Sequence, residues 1–365
     1  MNDIIYTKTN ALQTRGLAII SMVCLHLFCR KGADVYGTPL IWTSEKVPLV
    51  YWLGFVSGIC VPLYSLCAGY AQELLDEIGK GGYIANIKRS LRLIINFWIV
   101  LLLFTLLSLF AGTRNDLPIN FADFLQQAFL INYKNGAWWY LRTYIIIMLI
   151  PPMVLLWPVK HINWIFGIII CFSMTTLGYF IRRFNLIPSN ISNIWITKFF
   201  ISYLCIFTVL PFIWIGGFVC KCKLFNRINS KLNQITYERI KQNIIICSIL
   251  GIGFIFICIL EKSVVLDFYA LLVFLLFNLI HKNVIVEKIF LFFGMHSTNI
   301  WLVHMFFYCC LFIGLVQHAK YPLFIFIYMM FLCIVSSYII MLIQCYIEKI
   351  SSIFVCFQKG LKKFS

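Results

Sequence analysis

The chain has few charged residues, and acidic ones are the scarcest. Only 12% of its 365 residues are charged, with 13 Asp and Glu against 30 Lys and Arg, whereas 62% are hydrophobic and 17% are aromatic. Its mean hydropathy is +0.91. A soluble domain needs many more polar residues to cover its surface, so the composition excludes a soluble globular protein and indicates a polytopic membrane protein.

The sequence also lacks the short motifs of many soluble enzymes and metalloproteins. Its 15 cysteines include no CxxC pair, so neither a disulfide framework nor a structural zinc site is expected. There is no tandem repeat, no Gly-rich phosphate loop and no HExxH or GxSxG element. The longest loop, residues 112 to 137, is too short to bury a core of its own. The function is therefore expected within the membrane bundle.

Apolar runs of about twenty residues recur along the chain, and each is long enough to span a bilayer. They predict an all-α helical bundle of about ten transmembrane helices, forming a single membrane-embedded domain over residues 1–365. No small-residue cleavage site follows the first run, so it is expected to be retained. The predicted spans are residues 11 to 29, 47 to 71, 91 to 111, 138 to 158, 164 to 181, 199 to 219, 243 to 260, 264 to 280, 297 to 316 and 322 to 347.

Lys and Arg are distributed unevenly between the two sides of these spans. With the N-terminus inside, the inner segments hold 19 of the 30 cations and the outer segments hold 11. This bias predicts that both termini are cytoplasmic. It also accounts for the net charge of +17, so no nucleic-acid partner is expected.

The first predicted span carries an imidazole among apolar residues. His26 follows Arg15 by eleven residues, which places them roughly 16 Å apart along a helix and within about 20° around it. Ionisable residues inside spans usually face a bundle interior or a wet cavity, so His26 is a candidate functional residue. The alternative is that Arg15 anchors the helix at the interface and His26 only packs.

Two arginines stand at the cytoplasmic start of the third span. Arg89 and Arg92 are three residues apart and share one helix face. Two guanidinium groups on one face can clamp a phosphate. The alternative is a positive flank that contacts lipid headgroups.

Polar groups also occur in the second and ninth spans. Pro62, Ser65 and Gly69 indicate a loosened helix that another backbone can approach, for which packing alone is the alternative. In the ninth span, Ser297 and His304 are seven residues apart and share a helix face. His304 is therefore a second intramembrane imidazole.

The fourth span opens with aromatic residues and a cation. Trp138, Tyr140 and Arg142 form a group that resembles a sugar-binding platform. An aromatic belt at the membrane interface explains the tryptophans equally well.

In their order along the chain, these motifs resemble the integral-membrane acyltransferase-3 family, and the resemblance covers nearly the whole chain. One departure is Ala68, where the family often has serine, which argues against that hydroxyl as an obligatory nucleophile. The matching elements are Arg15-Gly-Leu-Ala-Ile-Ile with Leu-His26-Leu, Val61-Pro-Leu-Tyr with Ala68-Gly-Tyr, Arg89-Ser-Leu-Arg92, Trp138-Trp-Tyr-Leu with Pro151, and Ser297-Thr-Asn-Ile-Trp-Leu-Val-His304.

The resemblance implies a ten-helix enzyme of the bacterial inner membrane. Such an enzyme takes an acyl group, most often acetyl from cytoplasmic acetyl-CoA, and transfers it to a hydroxyl of an envelope sugar or lipid-linked glycan. Acyl-CoA is then a co-substrate, and no permanently bound cofactor or metal is expected. Coenzyme A carries phosphates that need cytoplasmic cations, for which Arg15, Arg89 and Arg92 are the candidates.

Two mechanisms remain open. In the first, His26 deprotonates the acceptor hydroxyl while Ser65, Ser297 or backbone amides stabilise the thioester oxyanion; an imidazole with an ordinary pKa of about 6.5 suits that task. In the second, a protein side chain first receives the acyl group. We favour direct transfer, because no nucleophile stands beside an evident base. Asp34 and Glu45 are possible carboxylate partners for His26.

Two other classes of membrane protein fit the composition. A transporter or flippase of a lipid-linked glycan predicts internal repeats and paired broken helices, and the sequence shows neither. A polysaccharide polymerase would need a longer outer loop than residues 112 to 137 provide.

Overall fold

The computed structural model describes residues 6–30, 37–44, 47–111, 118, 120–133, 135–184, 194–307, 316 and 319–361. These residues are almost entirely helical, which confirms the predicted all-α membrane fold. The strands among them are β1, Trp42–Ser44, and β2, Val47–Pro48, which pair antiparallel. The first helices are α1 Lys8–Phe28, α2 Leu49–Val56, α3 Cys60–Glu77, α4 Tyr83–Ala111, α5 Phe121–Ala128, α6 Trp139–Met148, α7 Pro152–Leu155 and α8 Trp157–His161. They are followed by α9 Trp164–Arg183, α10 Ile194–Lys221, α11 Leu224–Ile235, α12 Arg239–Leu260, α13 Ser263–Phe277, α14 Val284–Met305 and α15 Pro322–Leu361.

Several of these helices are long and apolar enough to cross a membrane. Within the described ranges there are 7 such segments, and α13 is a shorter apolar helix. The count of ten spans and the cytoplasmic location of both termini stay predictions. The 7 segments are Lys8–Phe28, Leu49–Glu77, Tyr83–Phe110, Trp164–Ile181, Leu204–Lys221, Arg239–Leu260 and Pro322–Ile347.

The fourth predicted span is not one continuous helix. Residues 138 to 158 contain α6, α7 and the first two residues of α8, so the expectation of a single run was wrong here. Pro151 is extended, with φ −54° and ψ 135°, because a following proline excludes helical geometry. Pro152 then starts α7, where a missing N–H costs nothing.

The helix around the ninth predicted span begins earlier than expected. The Asn283 side chain accepts a hydrogen bond from the Val286 N–H at 2.8 Å and so caps α14 at its start. As a result α14 begins at Val284, thirteen residues before the predicted span, and ends at Met305. The predicted residues 308–315 lie outside the described part of the chain.

The chain divides into two compact units, and each is described by itself. The first comprises Met1–Ser90 and Trp139–Ser297, and the second comprises Leu91–Trp138 and Thr298–Ser365. The assignment of residues 1–365 to a single domain stays a prediction.

In the first unit, α3 lies at the centre and packs closely against α10. A Cβ at Gly69 would overlap the carbonyl of Ile213, and a Cβ at Gly216 would overlap the carbonyl of Leu66. Small residues therefore let these two backbones touch, as is common between membrane helices. This confirms the expectation that another backbone approaches the second span at Gly69.

Polar contacts in the first unit agree with the predicted sides of the membrane. Asp76, Lys160 and Lys221 come from three segments that were all predicted to be inside. Lys160 pairs with Asp76 at 2.5 Å, and the Lys221 ammonium donates to the Lys160 carbonyl at 2.8 Å. At the predicted outer side, the Tyr51 hydroxyl donates to Glu261 at 2.9 Å.

The second unit is held by buried amides and aromatic rings. Asn96 of α4 donates to the Oδ1 of Asn299 on α14 at 2.7 Å, and the Asn299 amide donates to the Ser337 hydroxyl on α15 at 3.0 Å. Hydrogen bonds between such side chains stabilise helix contacts in a membrane. The Phe104 and Phe306 rings stack at 4.2 Å.

Candidate active site

The main concentration of polar groups in the first unit lies where α3 meets α6. The Ser65 hydroxyl is 3.4 Å from the Tyr140 hydroxyl, and two turns further along, Gln72 Nε2 lies 3.0 Å from the sulfur of Met148. The two helices therefore run parallel, as expected for the second and fourth spans. We call this contact line, from the Ser65–Tyr140 pair to the Gln72–Met148 pair, the α3–α6 seam.

Tyrosines occupy the outer half of the seam. Tyr140 and Tyr144 are four residues apart on one face of α6, with ring centroids 6.0 Å apart. The Tyr64 ring of α3 is 6.3 Å from the Tyr140 ring. Tyr140 is only 5% exposed, and Ser65 is fully buried. The seam thus places phenol hydroxyls inside an apolar bundle, where a hydrogen bond is stronger than in water.

Two arginines from different helices approach the same tyrosine. The charges of Arg15, on α1, and Arg89, on α4, both act on the Tyr144 hydroxyl. Two of the three predicted donor-binding arginines are therefore brought to one seam by the tertiary structure. Arg15 is half-buried and Arg89 is exposed, and two cations near one tyrosine favour the binding of an anion.

Arg15 does not lie at the end of its helix. It stands two turns inside α1, is half-buried, and its charge acts on Tyr64 and Cys67 near the middle of α3. α1 and α14 also touch here, because Gly16 packs on the carbonyl of Phe290. The Arg15 charge is therefore near the part of α3 that carries Tyr64 and Cys67.

His26 lies at the other end of α1. It is in the last turn of the helix and half-buried, and the charge of Arg30 reaches its ring. Near this turn of α1, Gly54 of α2 packs on the backbone of Phe28 and Cys29. His26 is therefore roughly 16 Å from Arg15 along the helix, towards the outer end of the seam.

The inner end of the seam is formed by amides. Gln72 Nε2 donates to Asn86 Oδ1 at 2.9 Å, and Arg89 Nη1 donates to the same oxygen at 3.3 Å. Gln72 and Asn86 are buried, whereas the Arg89 side chain is exposed. Arg89 thus connects the buried seam to the surface.

Comparison with known sequences decides the protein's class. The sequence model of one family, described as an acyltransferase domain, matches residues 13–342 of this chain. The chain belongs to the acyltransferase-3 family. No curated protein and no solved structure matches it. Its family and its apolar helices make it a multi-pass membrane acyltransferase.

In this acyltransferase-3 protein, the predicted polar residues of α14 contact backbone carbonyls of their own helix. The Ser297 hydroxyl, in the first unit, donates to the Gly294 carbonyl at 2.8 Å and is fully buried. In the second unit, His304 Nδ1 lies 2.7 Å from the Trp301 carbonyl. Both side chains thus contact carbonyls of α14, and Ser297 also interacts with the Tyr64 hydroxyl of the seam.

The remaining predicted residues are divided between the units. Trp138, in the second unit, is fully buried, and its Nε1 donates to the Leu302 carbonyl at 3.3 Å, which favours packing over a sugar platform. Arg92, also in the second unit, is exposed. Arg142 is half-buried on α6. Asp34 and Glu45 lie outside the described residues.

Sequence reasoning missed several residues of the seam. Tyr144, Gln72 and Asn86 were not predicted as site residues. Tyr144 follows Tyr140 by four residues, which is a signal for a shared helix face. Gln72 and Asn86 lie just beyond the predicted second span and before the third, where polar residues look like ordinary helix ends. Among the described residues, no group of three His, Cys, Asp or Glu side chains could hold a metal ion.

Proposed function

We propose that this acyltransferase is an O-acetyltransferase of the bacterial inner membrane. It takes an acetyl group from cytoplasmic acetyl-CoA and transfers it to a hydroxyl of a cell-envelope or exopolysaccharide sugar. The observation that carries the proposal is the α3–α6 seam, where the exposed Arg89 donates to Asn86 at 3.3 Å at one end and the buried Ser65 and Tyr140 hydroxyls lie 3.4 Å apart at the other. Exposed cations at the inner side suit the anionic nucleotide of the donor. The buried hydroxyls beyond them suit its reactive thioester.

The donor is proposed to enter from the inner end of the seam. Arg89, exposed and fixed by Asn86, binds the phosphates of coenzyme A together with Arg92 on the same helix. Arg15, on α1, is proposed as a further cation that binds the donor. The Tyr140 hydroxyl, 3.4 Å from Ser65, is proposed to donate to the thioester oxygen during transfer.

The acceptor hydroxyl is proposed to approach from the outer side, where His26 acts as general base. As His26 takes the hydroxyl proton, the sugar oxygen forms a bond to the thioester carbon. The carbon–sulfur bond then breaks, coenzyme A leaves as a thiolate, and the proton taken up by His26 passes to that sulfur through water, which restores the neutral imidazole. We favour this direct transfer over an acyl-enzyme route, because no nucleophile stands beside an evident base in the sequence.

The test is transfer by the purified protein in lipid nanodiscs. Acetyl-CoA and candidate envelope glycans are supplied, and free coenzyme A and glycan mass are measured. We expect coenzyme A release together with a gain of one acetyl mass on the glycan. Movement of an unmodified lipid-linked glycan across vesicles, without acetyl-CoA consumption, would instead support a transporter or flippase and overturn the proposal.

Cells provide a second measurement. Glycans from cells without this protein should lack one acetyl per repeat unit relative to cells that produce it. Identical glycan masses in both, with the protein produced at its normal level, would exclude these glycans as acceptors.

A further inference from the structure

Two buried polar groups on α4 lie beside Arg89. Asn86 is only 1% exposed and Ser90 only 3%, and they are four residues apart on one helix face. The Asn86 Nδ2 and the Ser90 Oγ have no hydrogen-bond partner among the described residues. Buried polar groups in proteins are nearly always paired, so each of these two calls for an explanation.

The orientation of the Asn86 amide follows from its neighbours. Its Oδ1 accepts from both Gln72 Nε2, at 2.9 Å, and Arg89 Nη1, at 3.3 Å. If the amide were flipped, its NH2 group would face the N–H donors of Gln72 and Arg89. The Nδ2 group, with two N–H donors, is therefore held in the opposite direction and needs an acceptor.

Ser90 departs from the usual behaviour of a helical serine. Such a hydroxyl ordinarily donates to a carbonyl three or four residues earlier. Ser108 on the same helix does so, donating to the Thr105 carbonyl at 2.7 Å, and Ser65 donates to the Val61 carbonyl at 3.0 Å. Within the described part of the chain, the Ser90 hydroxyl makes no such bond. It can therefore donate to a ligand or accept from one.

We propose that Asn86 and Ser90 bind an amide of the pantetheine arm of acyl-CoA. This inference rests on the proposed donor and names the residues that recognise its neutral half. A secondary amide has a carbonyl that can accept from Asn86 Nδ2 and an N–H that can donate to Ser90 Oγ. Arg89, which holds Asn86, binds the phosphates next to that arm.

The inference accounts for the arrangement of the inner end of the seam. Phosphates need cations that remain near the surface, and Arg89 is exposed. The arm that connects the phosphates to the thiol is neutral and can enter the bundle, but its amides must be paired there. Buried Asn86 and Ser90 provide this pairing on the way to Tyr144.

The test compares two ligands of the full-length protein in nanodiscs. Coenzyme A contains the arm, whereas adenosine 3′,5′-bisphosphate keeps the nucleotide phosphates and lacks it. Ser90→Ala should weaken coenzyme A binding roughly three- to tenfold and leave bisphosphate binding unchanged. Arg89→Ala should weaken both. Ser108→Ala, in which a buried hydroxyl already bonded within α4 is removed, is the matched control and should change neither.

Asn86→Asp provides a second variant, since it keeps the oxygen for Gln72 and Arg89 and removes the donor. It should weaken coenzyme A binding more than bisphosphate binding. Unchanged coenzyme A affinity in Ser90→Ala, or equal losses for both ligands, would overturn the subsite while leaving the donor in place. If the unmodified protein binds no coenzyme A, the proposed donor itself is wrong.

Discussion

The Ser65 hydroxyl on α3 lies 3.4 Å from the Tyr140 hydroxyl on α6, although 75 residues separate them in the chain. Ser65 donates its proton to the Val61 carbonyl at 3.0 Å, so the Tyr140 hydroxyl is the donor towards the Ser65 oxygen. A buried phenol donor at this position is suited to donate to a developing oxyanion during the reaction.

This relationship predicts the effect of removing one oxygen. Tyr140→Phe keeps the ring and its packing, so the protein should fold and bind the donor normally. Its transfer rate should fall by about 10²-fold, as is typical when one oxyanion donor is lost. The measurement is kcat with acetyl-CoA and the acceptor glycan.

Tyr269→Phe is the control for this variant. The Tyr269 hydroxyl is also in the first unit and donates to the Leu250 carbonyl at 3.0 Å, away from the seam. Its removal should leave kcat unchanged. Equal kcat values for Tyr140→Phe and the unmodified protein would remove Tyr140 from the mechanism.

His26 is predicted to be the general base. His26→Gln should leave the protein inserted, since glutamine has a similar bulk and removes an ionisable group from an apolar helix. Acyl transfer should fall by 10²- to 10⁴-fold, with acetyl-CoA still bound. His304→Gln should retain far more activity, because the His304 ring is in contact with carbonyls of its own helix. Near-normal transfer in His26→Gln together with loss of transfer in His304→Gln would assign the role of general base to His304.

Arg89 is predicted to bind donor phosphates. Arg89→Ala should weaken acetyl-CoA binding by roughly 1.5 to 3 kcal/mol, the range for a lost charge-assisted hydrogen bond. Arg89→Lys should recover only part of this, since lysine lacks the planar fork. Lys88→Ala removes an exposed neighbouring cation and is the matched control. Equal small losses in Lys88→Ala and Arg89→Ala, measured by calorimetry, would indicate a general effect of surface charge.

Gly69 is predicted to be indispensable for packing. In Gly69→Ala the new Cβ meets the backbone carbonyl of Ile213, which cannot move aside without shifting α10. The cost should be about 1 to 3 kcal/mol, seen as a lower midpoint of thermal unfolding in detergent. Gly251→Ala, at a helical position with nothing within 4 Å of the new Cβ, should be neutral or stabilising. Similar midpoints for both variants would show that α3 and α10 separate readily.

The charge bias predicts the topology. Because the inner segments hold 19 of 30 cations, reporters fused after Lys231 and at the C-terminus should both be cytoplasmic. A reporter near Asn120 should be outside. A C-terminal reporter on the outer side would mean an odd number of spans and would contradict the arrangement of the family.

The amino-acid sequence by itself determined the class of the protein and most of its helices. Hydropathy identifies a span without knowledge of its neighbours, because a segment in lipid must satisfy its own backbone and present apolar side chains. The same local logic identified Gly69 as a point of close approach. It failed at Pro151 and Pro152, where two prolines break an apolar run that hydropathy alone reads as continuous.

The tertiary structure alone decided which polar residues meet. Helix periodicity shows that Tyr140 and Tyr144 share a face. It does not show that this face meets Ser65 and Gln72. The register between two helices depends on small residues and side-chain volumes contributed by segments far apart in the chain. The same kind of packing buries Trp138 and brings the charge of Arg15 to Tyr64 of α3. Local pattern thus identifies candidates, whereas the contacts between helices select those that form one site.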